Sequence, residues 1–258
     1  MKPFELFVSF YTIVRKDVVR MLRVWVQTFL PPVVTATLYF LVFGSFLGRQ
    51  IGEIHGVPYI TFIVPGLVML SVVTSAYANT SFVMFTSKFM GRSIDEILVS
   101  PTPPWVLVAG YVAGGVVRGM LVGALVLGIA LFFTALPVHS FLAVAGFLFL
   151  TSVISALAGL VNGVYAKTID GINIVPTFVL TPLVYLGGVF YSVQVLPGFW
   201  SLLVKLDPIF YLISGLRYGF LGTADVPVAL SLAVLFFLAF AFLAANVYLI
   251  RTGLGLKQ

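Results

Sequence analysis

The sequence has no cysteine, and its two histidines, His55 and His139, lie far apart. Disulfides, thiolate metal sites and cysteine nucleophiles are thereby excluded together, and a histidine metal cluster would need unusual help from carboxylates. Charge is scarce as well: Asp, Glu, Lys and Arg make up 9% of the 258 residues, against about 25% in soluble domains. Nor is there a phosphate-binding loop of the Gly-x-x-x-x-Gly-Lys-Ser/Thr kind. The nearest approach, Ala166-Lys167-Thr168, has alanine where the second glycine belongs and Val161 in place of the first. The chain therefore has no such route to ATP hydrolysis.

What is present is apolar. Hydrophobic residues make up 61% of the chain and the mean hydropathy is +1.16. A soluble globule of this size could not hide that much apolar surface, so the composition predicts an all-α membrane protein. Six continuous apolar runs fall at about 27–47, 59–85, 105–133, 141–165, 172–191 and 227–250. Each is long enough to span a bilayer. A spanning barrel would alternate instead, so helices are the expected form.

The fourteen lysines and arginines orient the bundle. With six spans both termini share a side, and that side would hold ten: Lys2, Arg15, Lys16, Arg20, Arg23, Lys88, Arg92, Lys167, Arg251 and Lys257. Arg49, Lys205 and Arg217 fall on the other, and Arg118 lies within the third run. The positive-inside rule places both termini in the cytoplasm, makes the 88–104 loop cytoplasmic and makes segment 192–226 external. It also excludes nucleic acid as the reason for the net charge of +6, because the cations sit between spans and not in a patch.

Residues 1–26 read as an amphipathic interface helix. Phe7, Tyr11, Val14, Val18, Met21, Leu22 and Trp25 recur at helical spacing, with Lys16, Arg20, Arg23 and Gln27 on a different face. Such a helix lies in the headgroup plane, each cation worth about 1 kcal/mol against anionic lipid. It serves either as a plain anchor or as an elbow that receives force from a cytoplasmic partner.

The 88–104 loop contains a short helix signal. Ser93 and Glu96 have capping-box spacing, Asp95 and Glu96 fall in the first turn, and Pro101, Pro103 and Pro104 end it. Ile94, Ile97 and Leu98 form one apolar face. The element is either a rigid docking helix or a passive interfacial one.

With Gly91, Arg92, Asp95, Glu96, Leu98 and the Pro-rich exit, this loop resembles the signature loop of ABC type-2 transporter permeases. Asp207-Pro208-Ile209-Phe210-Tyr211 leading to Gly215-Leu216-Arg217 resembles that family's Asn-Pro…Tyr…Arg pattern, with Asp207 where Asn is usual. Pro182, the Tyr185–Tyr191 stretch and Leu196-Pro197 add to the likeness, which covers essentially the whole chain and is nearest to small bacterial inner-membrane permeases. The resemblance implies a half-transporter of the type V exporter arrangement. Two copies would join two copies of a separate ABC ATPase, which uses ATP and Mg while this chain binds no cofactor. It implies that Gly91, Arg92, Ser93, Ile94, Asp95, Glu96, Ile97 and Leu98 form the coupling helix, and that 192–226 forms external re-entrant half-helices. Arg118, Tyr211 and Arg217 are candidate gate or headgroup contacts, and the exported substrate is not named by the sequence.

Two other classes find less support. An ion-coupled carrier or channel would bury carboxylates in its spans, yet Glu5, Asp17, Glu53, Asp95, Glu96, Asp170, Asp207 and Asp225 all fall outside the predicted span interiors. An intramembrane enzyme would need a catalytic constellation, and none is visible. For Arg118 the open alternatives are snorkelling or pairing with Asp170, against a functional anionic contact. Gly110, Gly114, Gly115, Gly119 and Gly123 in the third run, and Ser155, Gly159 and Gly163 in the fourth, predict close helix contacts without saying which helices meet. Span five, with Pro176 and Pro182, is expected to kink, line a dimer axis and move.

Overall fold

The computed structural model describes residues 2–54, 56–89, 101–193 and 196–255. Six helices are long and apolar enough to cross a membrane: Trp25–Gly44, Tyr59–Phe89, Pro104–Phe133, Phe141–Tyr165, Ile169–Leu186 and Val228–Thr252. They are called spans one to six below. Ahead of them stands an N-terminal helix, Pro3–Arg23, ended by a break at Val24. Residues 90–100, which carry the predicted coupling helix from Gly91 to Leu98, lie outside the described residues.

Two of the spans are irregular helices that contain proline. Span one holds Pro31 and Pro32 and continues in wide π-helical turns over Phe40–Leu47. Span five is wound the same way over Pro176–Leu180, beginning at Pro176 itself. At Pro176 the ring removes one N–H from the ladder where the widened turns begin; the turns over Phe40–Leu47 lie about two turns beyond Pro31 and Pro32. The fifth span ends at Leu186, earlier than the expected 191. Gly188 adopts φ +86° and turns the chain back. Val189 then packs on Gly66, where a Cβ would come within 2.8 Å of its Cα. The Tyr59 hydroxyl donates to the Phe190 carbonyl at 3.0 Å.

Span two is the axis of the bundle, with 78% of its core window buried, against 11% for spans five and six. Glycines let its neighbours close on it. A Cβ at Gly159 of span four would lie 2.3 Å from the Tyr77 carbonyl oxygen, and one at Gly163 would lie 2.6 Å from that of Ser81. The glycines of span three serve two faces. Gly115, Gly119 and Gly123 meet Thr80, Ala76 and Val72 of span two, while Gly110 and Gly114 meet Ile13 and Asp17 of the N-terminal helix. Close approach by small residues replaces the hydrophobic driving force that lipid removes.

At the end of the bundle opposite the N-terminal helix, a two-residue hairpin pairs Glu53 with Pro58 and Ile54 with Val57. Beside it lie two short helices, Gly198–Leu206 and Pro208–Leu221, bent by 89° to each other. Asp207 stands at the bend and caps the second helix, its Oδ1 accepting the Ile209 N–H at 2.8 Å.

Candidate functional site

Two charged clusters and one polar chamber stand out against the apolar bundle. The first cluster fixes the N-terminal helix. Asp17, 5% exposed, accepts from the Arg20 side chain at 2.6 Å and from Asn79 Nδ2 of span two at 2.7 Å. Arg20 also donates to Asn79 Oδ1 at 2.9 Å, closing a triangle. Room for the carboxylate comes from Gly114, where a Cβ would sit 1.9 Å from Asp17 Oδ2. The stripe that faces the bundle is therefore Ile13, Asp17 and Met21. Phe7, Tyr11, Leu22 and Trp25 stay exposed. This corrects the expectation that Arg20 spends its charge on headgroups. The buried Asp17 carboxylate gives Arg20 a charge-assisted partner three residues away on its own helix.

Arg118 lies one turn beyond Gly114, fifteenth in a helix that begins at Pro104. Its partner is not Asp170, which is exposed. The charges close enough to act on it are Arg20 and Asp17. Arg118 Nε is buried and has no hydrogen-bond partner among the described residues. The guanidinium borders a chamber of about 340 Å³ between spans one, two, three and five. Half of the residues lining it carry a hydroxyl, and Arg118 is its one charged side chain. Ser71 and Thr74 donate to the Leu67 and Leu70 carbonyls of their own helix, which leaves their oxygen lone pairs free. Tyr39 of span one and Tyr185 of span five hydrogen-bond hydroxyl to hydroxyl at 2.8 Å. Another crevice, about 410 Å³ between spans two, four, five and six, is almost wholly apolar.

The second cluster sits at the opposite end. Arg217, 3% exposed, forms an ion pair with Asp225 and donates to the Gly188 carbonyl at 3.0 Å. Its guanidinium carbon lies 4.1 Å from the centre of the Phe62 ring. One side chain thus ties the second short helix to the approach to span six, the end of span five and the start of span two. Tyr211 donates to the Lys205 carbonyl at 2.8 Å and staples the two short helices across their bend.

The three residues singled out as candidate gate or headgroup contacts therefore do not converge: Arg118 borders the chamber, whereas Tyr211 and Arg217 organise the far end. Sequence reasoning missed Asp17, Asn79 and Asp225. For Asp17 a signal existed, since Arg20 follows at i+3 and a glycine pair waits in span three. Among the described residues no group of three or more His, Asp or Glu is placed to hold a metal.

Lys88 at the end of span two donates to the Val164 carbonyl at the end of span four, at 2.9 Å. Asn162 donates to Ser81 and to the Ile172 carbonyl, both at 2.9 Å. Spans two, four and five are thus joined close to residues 90–100.

Comparison with known proteins bears on this architecture. Residues 8–221 match the family model for the ABC-2 type transporter. The chain is 54% identical over 251 residues to the inner membrane transport permease YadH of Escherichia coli K12, covering 97% of this chain and 98% of that one. It is 26% identical over 204 residues to nodulation protein J of Rhizobium meliloti, covering 77% and 76%. To nodulation protein J of Sinorhizobium fredii it is 28% identical over 205 residues, covering 77% and 75%. A bundle of six apolar helices without a phosphate loop, matched along nearly all its length, belongs to the ABC-2 type transporter family as a membrane permease subunit.

Proposed function

We propose that this chain is the membrane half of an ATP-driven exporter of the bacterial inner membrane. Two copies would work with two copies of a separate ABC ATPase, their termini and the 88–104 loop in the cytoplasm. The observation that carries the reading is the near-full-length likeness to an inner membrane transport permease. The geometry gives it a physical route. Span three starts immediately after the loop, and its first turns are held to the N-terminal helix through Gly110 and Gly114. Span two, which leads into the loop, is tied to span four by Lys88. A push on the loop would reach both helices as a unit, with the N-terminal helix as elbow. The short helices 198–221 would form the external re-entrant half-helices, because irregular backbone at membrane depth needs protein around it and Arg217 and Tyr211 supply that.

Asp17 and Asp207 are buried, yet neither favours an ion-coupled carrier: one is neutralised by Arg20 and the other caps a helix. The test is affinity purification from native membranes. An ABC ATPase should accompany the chain and be lost when Ile94→Asp or Glu96→Arg is introduced. A chain that purifies with no ATPase under conditions that keep the dimer would contradict the proposal.

A further inference from the structure

The chamber beside Arg118 lies between spans one, two, three and five. Its wall combines one arginine with hydroxyls in a region where polar side chains are costly and mark function. The local charge does not balance. Arg20 and Arg118 are two cations; among the described residues Asp17 is the one anion acting on Arg118, and Asp17 is already bonded to Arg20 and Asn79. Arg118 is left with a buried Nε that nothing among the described residues accepts from. A guanidinium bordering a low-dielectric cavity, one positive charge in excess, is an incomplete site for an anion. The cavity, about 340 Å³, falls within the range of small-molecule sites, about 300–1,000 Å³.

We propose that this chamber binds a phosphate- or carboxylate-bearing molecule, with Arg118 as its counter-charge. The free lone pairs on Ser71 and Thr74 would accept from hydroxyls on the same ligand. That the ligand is also the exported cargo rests on the permease reading above; that it binds does not. Its acidic group has two possible sources, an amphiphile entering from the lipid or a small solute entering from water.

Binding is measurable on the purified chain alone, in phosphatidylcholine nanodiscs, with three probes: dodecyl phosphate, inorganic phosphate and the neutral dodecyl maltoside. Dodecyl phosphate or inorganic phosphate should bind saturably, and dodecyl maltoside should not compete. Saturation by dodecyl phosphate alone identifies an amphiphile; equal saturation by inorganic phosphate identifies a soluble anion. Arg118→Gln should weaken binding about tenfold or more, the worth of one charged hydrogen bond, while Arg118→Lys should retain most of it. Ser71→Phe, which fills the chamber and leaves Arg118 in place, should abolish it, so the test survives a poorly folded Arg118 variant. Equal affinity of the wild type and a folded Arg118→Gln, full binding by Ser71→Phe, or equal competition by dodecyl maltoside would each overturn the proposal. The two readings fail separately. An ATPase that co-purifies with a chain showing no Arg118-dependent binding removes the site and leaves the permease, and the converse result removes the permease and leaves the site.

Discussion

At the residue scale, the charges in this chain serve as joints. Arg217 and Asp225 are nearly inaccessible, at 3% and 7% exposure, and their pairing spans four elements. Asp225→Asn should leave a buried guanidinium uncompensated and cost about 3–5 kcal/mol, read as a loss of thermal stability of the detergent-solubilised chain. Replacing both partners with apolar residues of similar volume should cost much less, because no orphan charge remains. Asp207 offers a contrasting case. Its Oδ1 caps a helix while its Oδ2 is buried with no partner among the described residues. Asp207→Asn keeps the acceptor and removes the anion, so stability should hold or rise. Asp207→Ala loses the cap and should cost about 1 kcal/mol. The same melting assay separates the two variants.

At the element scale, glycine decides which helices touch. Gly114→Val would drive a side chain into Asp17, whose Oδ2 leaves 1.9 Å for a Cβ. The N-terminal helix should lift from span three. The expected signs are new protease cleavage within Pro3–Arg23 and a loss of about 1–3 kcal/mol, typical of overpacking. The spacing of small residues made helix contacts legible in the sequence, and continuous hydropathy made the six long apolar helices legible. Partner choice was not legible. Gly110 and Gly115 belong to one run at adjacent phases, and nothing local says that one phase meets the N-terminal helix and the other span two. The buried stripe of the N-terminal helix was hidden for a related reason. An isolated Asp17 among cations reads as a surface residue until Asn79, sixty-two positions away, comes to meet it. The charge count sets Arg217 on the external side of the membrane, but says nothing of Asp225, which pairs with it inside the fold eight residues later.

At the scale of the whole molecule, a buried axis carries an exposed rim. Spans two and four pack through glycine and backbone, whereas spans one, five and six leave Phe46, Phe178, Phe236, Phe237 and Phe240 exposed. A partner copy or lipid must cover these faces. The absence of native cysteine makes the question tractable, since one engineered thiol reports alone. Phe178→Cys on span five, 73% exposed, should cross-link between copies, with a yield that changes when the ATPase is loaded with nucleotide. A yield indifferent to nucleotide would remove span five from the moving interface. In the proposed exporter, motion in this bundle originates in a companion ATPase. The most direct test reconstitutes the purified chain in liposomes, with and without the co-purifying ATPase, and follows substrate flux as ATP is added. Flux that needs both the ATPase and ATP, and that stops with Glu96→Arg, is the result this account predicts; solute movement by the chain alone would contradict it.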